Sequence, residues 1–261
     1  MEIAAKLRVS LIQSDLVWED SKANLDNFAN EVLKLKNTTD IIVLPEMFST
    51  GFSMRPHLFA QTMEEDAVSS MKEWAIKTQA AVCGSLMIKE GEKYFNRFIW
   101  AEPNGTLLYY DKSHLFRMGE EQKHYSKGSI RLLIAYKGWN IAPFVCYDLR
   151  FPVWIRKTPE FNYDLLIFVA NWPERRALHW KLLAQARAIE NQSYVVAVNR
   201  VGADGSEIYH SGDSQVVDAL GNVVYSNNKG IETATISLSK EDLVKYRETF
   251  PVGLDADKFE I

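Results

Sequence analysis

Two cysteines in 261 residues are too few for a disulfide framework, and a reducing cytoplasm is the expected setting. No apolar run reaches the roughly 18 residues needed to span a bilayer, so no membrane partner is expected. The segment Met1 to Ser10 is too charged, and its apolar stretch too short, for a signal peptide. Positive charge is not in excess. Thirty Lys and Arg against 34 Asp and Glu leave a net charge of -4, which gives nucleic acid no general attractive field. The five histidines, His57, His114, His124, His179 and His210, make no paired motif at helical spacing, so no metal is expected. Gly202, Gly205 and Gly212 do not open a helix in a phosphate-binding pattern, and no cofactor is expected. There is no linker, repeat or low-complexity tract, so residues 1–261 read as a single domain.

What is present suits a large core: 47% hydrophobic residues, 12% of all residues aromatic, and 25% charged for the surface. Leu7 to Gln13 alternates as a strand. Ser21 to Lys36 places Ala23, Leu25, Phe28, Val32 and Leu35 at helical spacing. Asp40 to Leu44 is a short strand, Glu64 to Gln79 a helix and Ala80 to Ile88 a strand. Tyr94 to Ala101 and Leu107 to Tyr110 flank Pro103-Asn-Gly105, a hairpin signal. Trp139 to Cys146 is a strand, Trp154 to Lys157 a short helix, Asp164 to Ala170 a buried strand and Arg176 to Asn191 a long helix. Strands follow at Tyr194 to Asn199, Asp213 to Asp218, Val223 to Tyr225 and Thr233 to Leu238, then a helix from Lys240 to Tyr246. This mixture predicts an α/β fold of two face-to-face sheets with helices outside.

Three chemically distinct side chains stand at strand ends. Ile141 to Val145 runs apolar into Cys146, Ile41 to Leu44 into Pro45 and Glu46, and Leu107 to Tyr110 into Asp111 and Lys112. A thiol, a carboxylate and an ammonium that converge there make a metal-free acyl-transfer site. The thiol attacks a carbonyl, Glu46 takes its proton, and Lys112 with the Tyr147 backbone N–H holds the oxyanion. Each residue also has an ordinary reading: a buried structural thiol, a solvated loop carboxylate, a surface lysine. A Cys–His dyad is open on residue types alone. His114 can orient loops by hydrogen bonding. Cys83, with no charged neighbour in its strand, reads as structural.

These segments resemble the nitrilase superfamily of carbon–nitrogen hydrolases. Leu44-Pro-Glu46-Met-Phe48 is similar to its glutamate motif, Tyr110-Asp-Lys112-Ser-His-Leu-Phe116 to its lysine motif, and Val145-Cys146-Tyr-Asp-Leu-Arg150-Phe-Pro152 to its cysteine motif. Ala170-Asn-Trp-Pro173, Gln185-Ala-Arg187-Ala-Ile-Glu190-Asn191 and His210-Ser-Gly212-Asp-Ser214 resemble further family segments, so the likeness spans almost the whole chain. The resemblance implies a four-layer αββα sandwich, a Glu46–Lys112–Cys146 triad and a homodimer stacked through helices near the cysteine and lysine segments. It also implies a second glutamate ahead of a glycine. Glu121, seven positions before Gly128, is the choice and Glu120 the reserve; Lys127 stands where many relatives have proline.

Within the superfamily the likeness is to omega-amidases, through Glu46 to Phe52, Ala170 to Pro173 and Arg200-Val-Gly202. That implies hydrolysis of the side-chain amide of a small 2-oxo dicarboxylic acid monoamide, 2-oxoglutaramate or 2-oxosuccinamate, through a cysteine thioester. An arginine is expected to hold the remote carboxylate, Arg176 first and Arg175 second, with Phe48, Phe52 and Trp172 walling the slot. The rival readings are an amidase of the same superfamily acting on another substrate such as deaminated glutathione, and a catalytically silent scaffold.

Overall fold

Side-chain alternation decides the layers. The computed structural model describes residues 6–228 and 230–257. β1 (Lys6–Gln13) sends Leu7, Val9 and Leu11 to one face and Ile12 to the other. β2 (Ile41–Val43) and β3 (Ala81–Glu90) repeat this, with Ile41, Val43, Ala81 and Cys83 towards a second sheet and Ile42 and Val82 towards helices. Those helices are α1 (Ser21–Leu33), the single turn α2 (Pro56–Phe59) and α3 (Asp66–Thr78). Phe28 and Val32 of α1 and Met71 and Trp74 of α3 bury against the sheet. Asp20 caps α1 by accepting the Ala23 N–H at 2.9 Å. β4 (Lys93–Ala101) and β5 (Leu107–Asp111) form the expected hairpin, pairing Ala101 with Leu107.

The second half supplies β6 (Ile134–Tyr136), β7 (Trp139–Val145), α4 (Pro152–Ile155), β8 (Leu165–Ala170), α5 (Ala177–Asn191) and β9 (Tyr194–Asn199). Then come a small hairpin, β10 (Val201–Ala203) with β11 (Tyr209–Ser211), and β12 (Ser214–Val217), β13 (Val223–Asn227), β14 (Glu232–Ser239) and α6 (Lys240–Thr249). The two six-stranded sheets run β14-β1-β2-β3-β4-β5 and β13-β12-β9-β8-β7-β6. They pack face to face, with α1 and α3 outside one and α5 outside the other, as the expected four-layer αββα sandwich. β1, β2 and β3 are parallel, as are β7, β8 and β9. Parallel neighbours need crossovers, so their carboxyl ends gather on one rim, where α/β sheets bind ligands.

Three sequence expectations change. The 3-10 turn Glu174–Arg176 precedes α5, so Arg176 caps the helix and does not begin it. The short helix expected over Trp154 to Lys157 runs from Pro152 to Ile155, since the fixed φ of Pro152 suits a first helical turn. β6 and the β10–β11 hairpin were not anticipated. Each strand has three residues, too short for alternation to register. Cys83 is fully buried between the sheets, and burial pushes its thiol well up, as suits an inert core sulfur. Among the described residues no helix is long and apolar enough to cross a membrane.

Candidate active site

Glu46 lies three residues beyond β2, Lys112 directly after β5 and Cys146 directly after β7. The Lys112 backbone is fixed on both sides. Its N–H donates to Asn96 O at 3.0 Å, and its carbonyl accepts the Gly128 N–H at 2.9 Å. Gly128 must be glycine here, because a Cβ would sit 2.1 Å from Asp111 O. Lys112 Nζ reaches Glu46 Oε1 at 2.9 Å and Glu121 Oε1 at 3.0 Å, and all three side chains are fully buried. Glu46 Oε2 accepts the Asn171 N–H at 2.7 Å, and Glu121 Oε2 accepts the Phe116 N–H at 2.6 Å. Burial alone lowers the Lys112 pKa, but Glu121 and Glu46 outweigh it and raise the ammonium well above its ordinary value. Burial also raises Glu121. Lys112 opposes that and Glu46 adds to it. The cluster is thus one permanent cation serving two carboxyls.

Cys146 begins the 3-10 turn Cys146–Arg150 with φ +44°, in the left-handed region that a side chain rarely adopts. Its sulfur lies 4.0 Å from Asn171 O. Burial pushes the thiol well above its usual range, as do the charge of Glu46 and a hydrogen bond to it, while Lys112 pulls the other way. The resting sulfur is therefore a thiol beside a carboxylate that can take its proton, not a preformed thiolate. Tyr147 is second in the turn, where a backbone N–H has no intrahelical acceptor.

Asp148 buckles the thiol and ammonium segments together. Its fully buried carboxylate accepts from Val145 N at 3.1 Å, Tyr110 Oη at 2.8 Å and His114 N at 3.0 Å, and it contacts His114 Nδ1 at 2.8 Å. The His114 ring stacks on Phe151 with centroids 3.7 Å apart. His114 does tie loops together, as its position suggested.

The sulfur opens into a cleft of about 170 Å³. Trp18, Phe52, Met54, Phe116 and Met118 give it apolar walls, and Arg150, Arg175 and Arg176 give it charge. Among the described residues none of these arginines makes an ion pair. Arg150 Nη2 meets His179 Nδ1 at 3.1 Å and its guanidinium lies 4.6 Å from the Trp172 ring, while Arg176 sits 5.2 Å from the Phe116 ring. Burial and the neighbouring Arg175 and Arg150 lower the Arg176 pKa, which marks an uncompensated positive corner.

The structure brings Glu46, Lys112, Glu121 and Cys146 together and sets Tyr147, Phe52, Trp172, Arg175 and Arg176 on the cleft. Glu120 instead faces outward and pairs with Lys123 at 2.5 Å. Phe48 is a correction: it does not line the cleft. Met47 takes φ +42°, the chain turns, and Phe48 packs edge-on against Phe28 at 5.4 Å in the helix-side core. Sequence reasoning missed the cleft role of Arg150, the Asp148 buckle, the β10–β11 wall carrying Ile208 and His210, and Asn96. Only Asn96 left a clear signal, as a polar residue on the stripe it shares with the core residues Phe98 and Trp100.

Comparison with known proteins follows the same lines. The carbon-nitrogen hydrolase family model matches residues 8–248. The chain is 43% identical to omega-amidase YafV of Escherichia coli (strain K12) over 98% of both chains. It is 31% identical to a 2-oxoglutaramate amidase of Bacillus subtilis (strain 168), covering 97% of this chain and 98% of that one. The crystal structure of a CN-hydrolase superfamily protein from Xanthomonas campestris, with an arsenic adduct in its active site, superposes with TM-score 0.97 at 41% identity, over 99% of this chain and 100% of that one.

Proposed function

Because the chain belongs to the carbon–nitrogen hydrolase family, enzymes that act on amides, we propose that it is an omega-amidase cleaving the side-chain amide of 2-oxoglutaramate or 2-oxosuccinamate. The observation that carries this reading is a thiol set between a buried Glu–Lys–Glu cluster and a cleft whose arginines make no ion pair among the described residues. Glu46 takes the Cys146 proton as sulfur attacks the amide carbon. Lys112 Nζ and the Tyr147 N–H hold the oxyanion, and Glu121 positions the amide. Glu46 returns the proton to the departing ammonia, then activates the water that splits the thioester. Water and amide go in; acid and ammonia come out.

The substrate's far carboxylate sits between Arg176 and Arg150, neither of which makes an ion pair among the described residues, although Asp204 also lines the cleft. Against the carboxyl methyl ester of the same amide, 2-oxoglutaramate is expected to show a kcat/KM higher by about 10–100-fold, the worth of a charged hydrogen-bonded contact. Arg176→Ala or Arg150→Ala should erase that preference by raising KM. Equal constants for acid and ester in the parent enzyme reject the clamp.

The working unit is proposed to be a homodimer. Leu178, Leu182 and Ile189, spaced four and seven residues apart along α5, are more than half exposed, an apolar strip that suits burial against a second copy, and Val153 of α4 is exposed as well. Sedimentation of the parent is expected at twice the chain mass and of Leu182→Glu at the chain mass; a monomeric parent overturns the assignment.

A further inference from the structure

One carboxamide serves both buried carboxylates. Asn96 Nδ2 lies 2.7 Å from Glu46 Oε1 and 3.2 Å from Glu121 Oε1, the same two oxygens that Lys112 Nζ reaches. The direction of the amide is set by its other end. Ser85 Oγ accepts the Met47 N–H at 2.9 Å, so its own hydrogen is free to donate to Asn96 Oδ1, 2.8 Å away. With the oxygen held by a hydroxyl donor, both N–H bonds must face the glutamates. The reversed amide would press a carbonyl oxygen on two carboxylates. Ser85, Asn96, Glu46, Glu121 and Lys112 are all fully buried, so water cannot substitute for a lost donor. Each carboxylate has three N–H donors, Lys112, Asn96 and one backbone N–H, from Asn171 for Glu46 and from Phe116 for Glu121, and Glu46 also meets the Cys146 thiol. Without Asn96, one ammonium alone separates two anions at that corner.

We propose that Asn96 is the positioning residue that holds Glu46 and Glu121 side by side as acceptors, aimed by Ser85, so that Glu46 meets the Cys146 thiol free to take its proton. The inference rests on the reading that Glu46 is the base. It goes further in making the reactivity of the sulfur depend on a neutral side chain on β4, in the sheet opposite the one that leads into Cys146. A carboxylate at position 96 brings a third negative charge into the cluster, and the cluster, which titrates as a unit, must then hold a proton to higher pH.

The test follows pH in two readouts, ammonia release and the rate at which iodoacetamide alkylates Cys146, scored on the labelled peptide. Asn96→Asp is expected to move the acid limb of both profiles upward by about 1–2 pH units, which costs about 10–100-fold in kcat/KM at pH values below the parent's limb. KM should stay within about twofold, and raising the pH should restore most of the rate. Ser85→Ala, which frees the amide to turn, should move both limbs the same way by less, and it carries the test if Asn96→Asp does not fold. Limbs that superpose on the parent's, whatever the loss in overall rate, reduce Asn96 to a packing role and overturn the proposal. Glu46→Gln in the same assays separates the two claims. If Glu46→Gln alkylates and turns over as the parent does, the base assignment fails. If it is inactive while the Asn96→Asp and Ser85→Ala limbs stay put, only the Asn96 proposal fails.

Discussion

Cys146→Ala is expected to lose turnover by at least ~10⁴-fold, the scale on which removing a covalent nucleophile acts, while keeping the parent's fold. The residue keeps its Cβ, so the backbone at φ +44° is held as before and nothing is relieved. Only a half-buried sulfur is lost, worth about 1 kcal/mol or less in unfolding by urea. The variant should still bind substrate, because the arginines and apolar walls of the cleft are untouched. Ammonia release and equilibrium unfolding measured on the same preparation decide the matter. Turnover within tenfold of the parent by a folded Cys146→Ala protein removes the thioester and with it the whole acyl-transfer scheme.

Lys112→Ala should fail in both respects. The ammonium is the oxyanion donor, and losing one such donor typically costs ~10²–10³ in kcat. It is also the one cation between Glu46 and Glu121, at 2.9 and 3.0 Å. Its removal leaves two buried carboxyls facing each other, and breaking a buried pair costs roughly 3–5 kcal/mol. Carboxyls without the ammonium bind protons more tightly when folded than when unfolded, so this variant gains stability relative to the parent as pH falls and loses it as pH rises through the neutral range. Melting temperatures of the two proteins from acid to neutral pH are expected to diverge upward in pH. A constant gap would mean that Lys112 does not neutralise the pair, and an unimpaired kcat would remove it from the oxyanion site. Arginine is no conservative replacement here, since a planar guanidinium cannot occupy the space of a compact ammonium that two oxygens share.

Much of this site could be seen in the order of residues because it lies where elements stop. A run of apolar residues that breaks into Glu46, Lys112 or Cys146 marks both a strand and its rim, and both are local properties. Layering was legible for the same reason, since alternation along β1 and β4 states which side chains face the other sheet. Local pattern failed where the chain turns. Phe48 follows the positive φ of Met47, and after such a turn alternation no longer tells which way a ring points. Where like residues adjoin, periodicity alone did not separate them, and only the spacing to Gly128 favoured Glu121. Glu120 and Glu121 are equivalent as text, yet one faces solvent beside Lys123 and the other is sealed against Lys112. The arginines divide similarly, for Arg150 belongs to the cysteine segment in the chain but to the cleft in space.

The order of residues thus determined the sandwich, its strand rims and the three groups able to do chemistry, because periodicity and burial act over a few neighbours. Only the folded chain decided which acid joins the pair, which guanidiniums are left without a counter-charge and that Asn96 stands between two carboxylates. Those outcomes depend on segments such as Glu46 and Lys112, 66 positions apart, arriving within hydrogen-bonding distance, and electrostatic pairing in a dry interior is set by that approach.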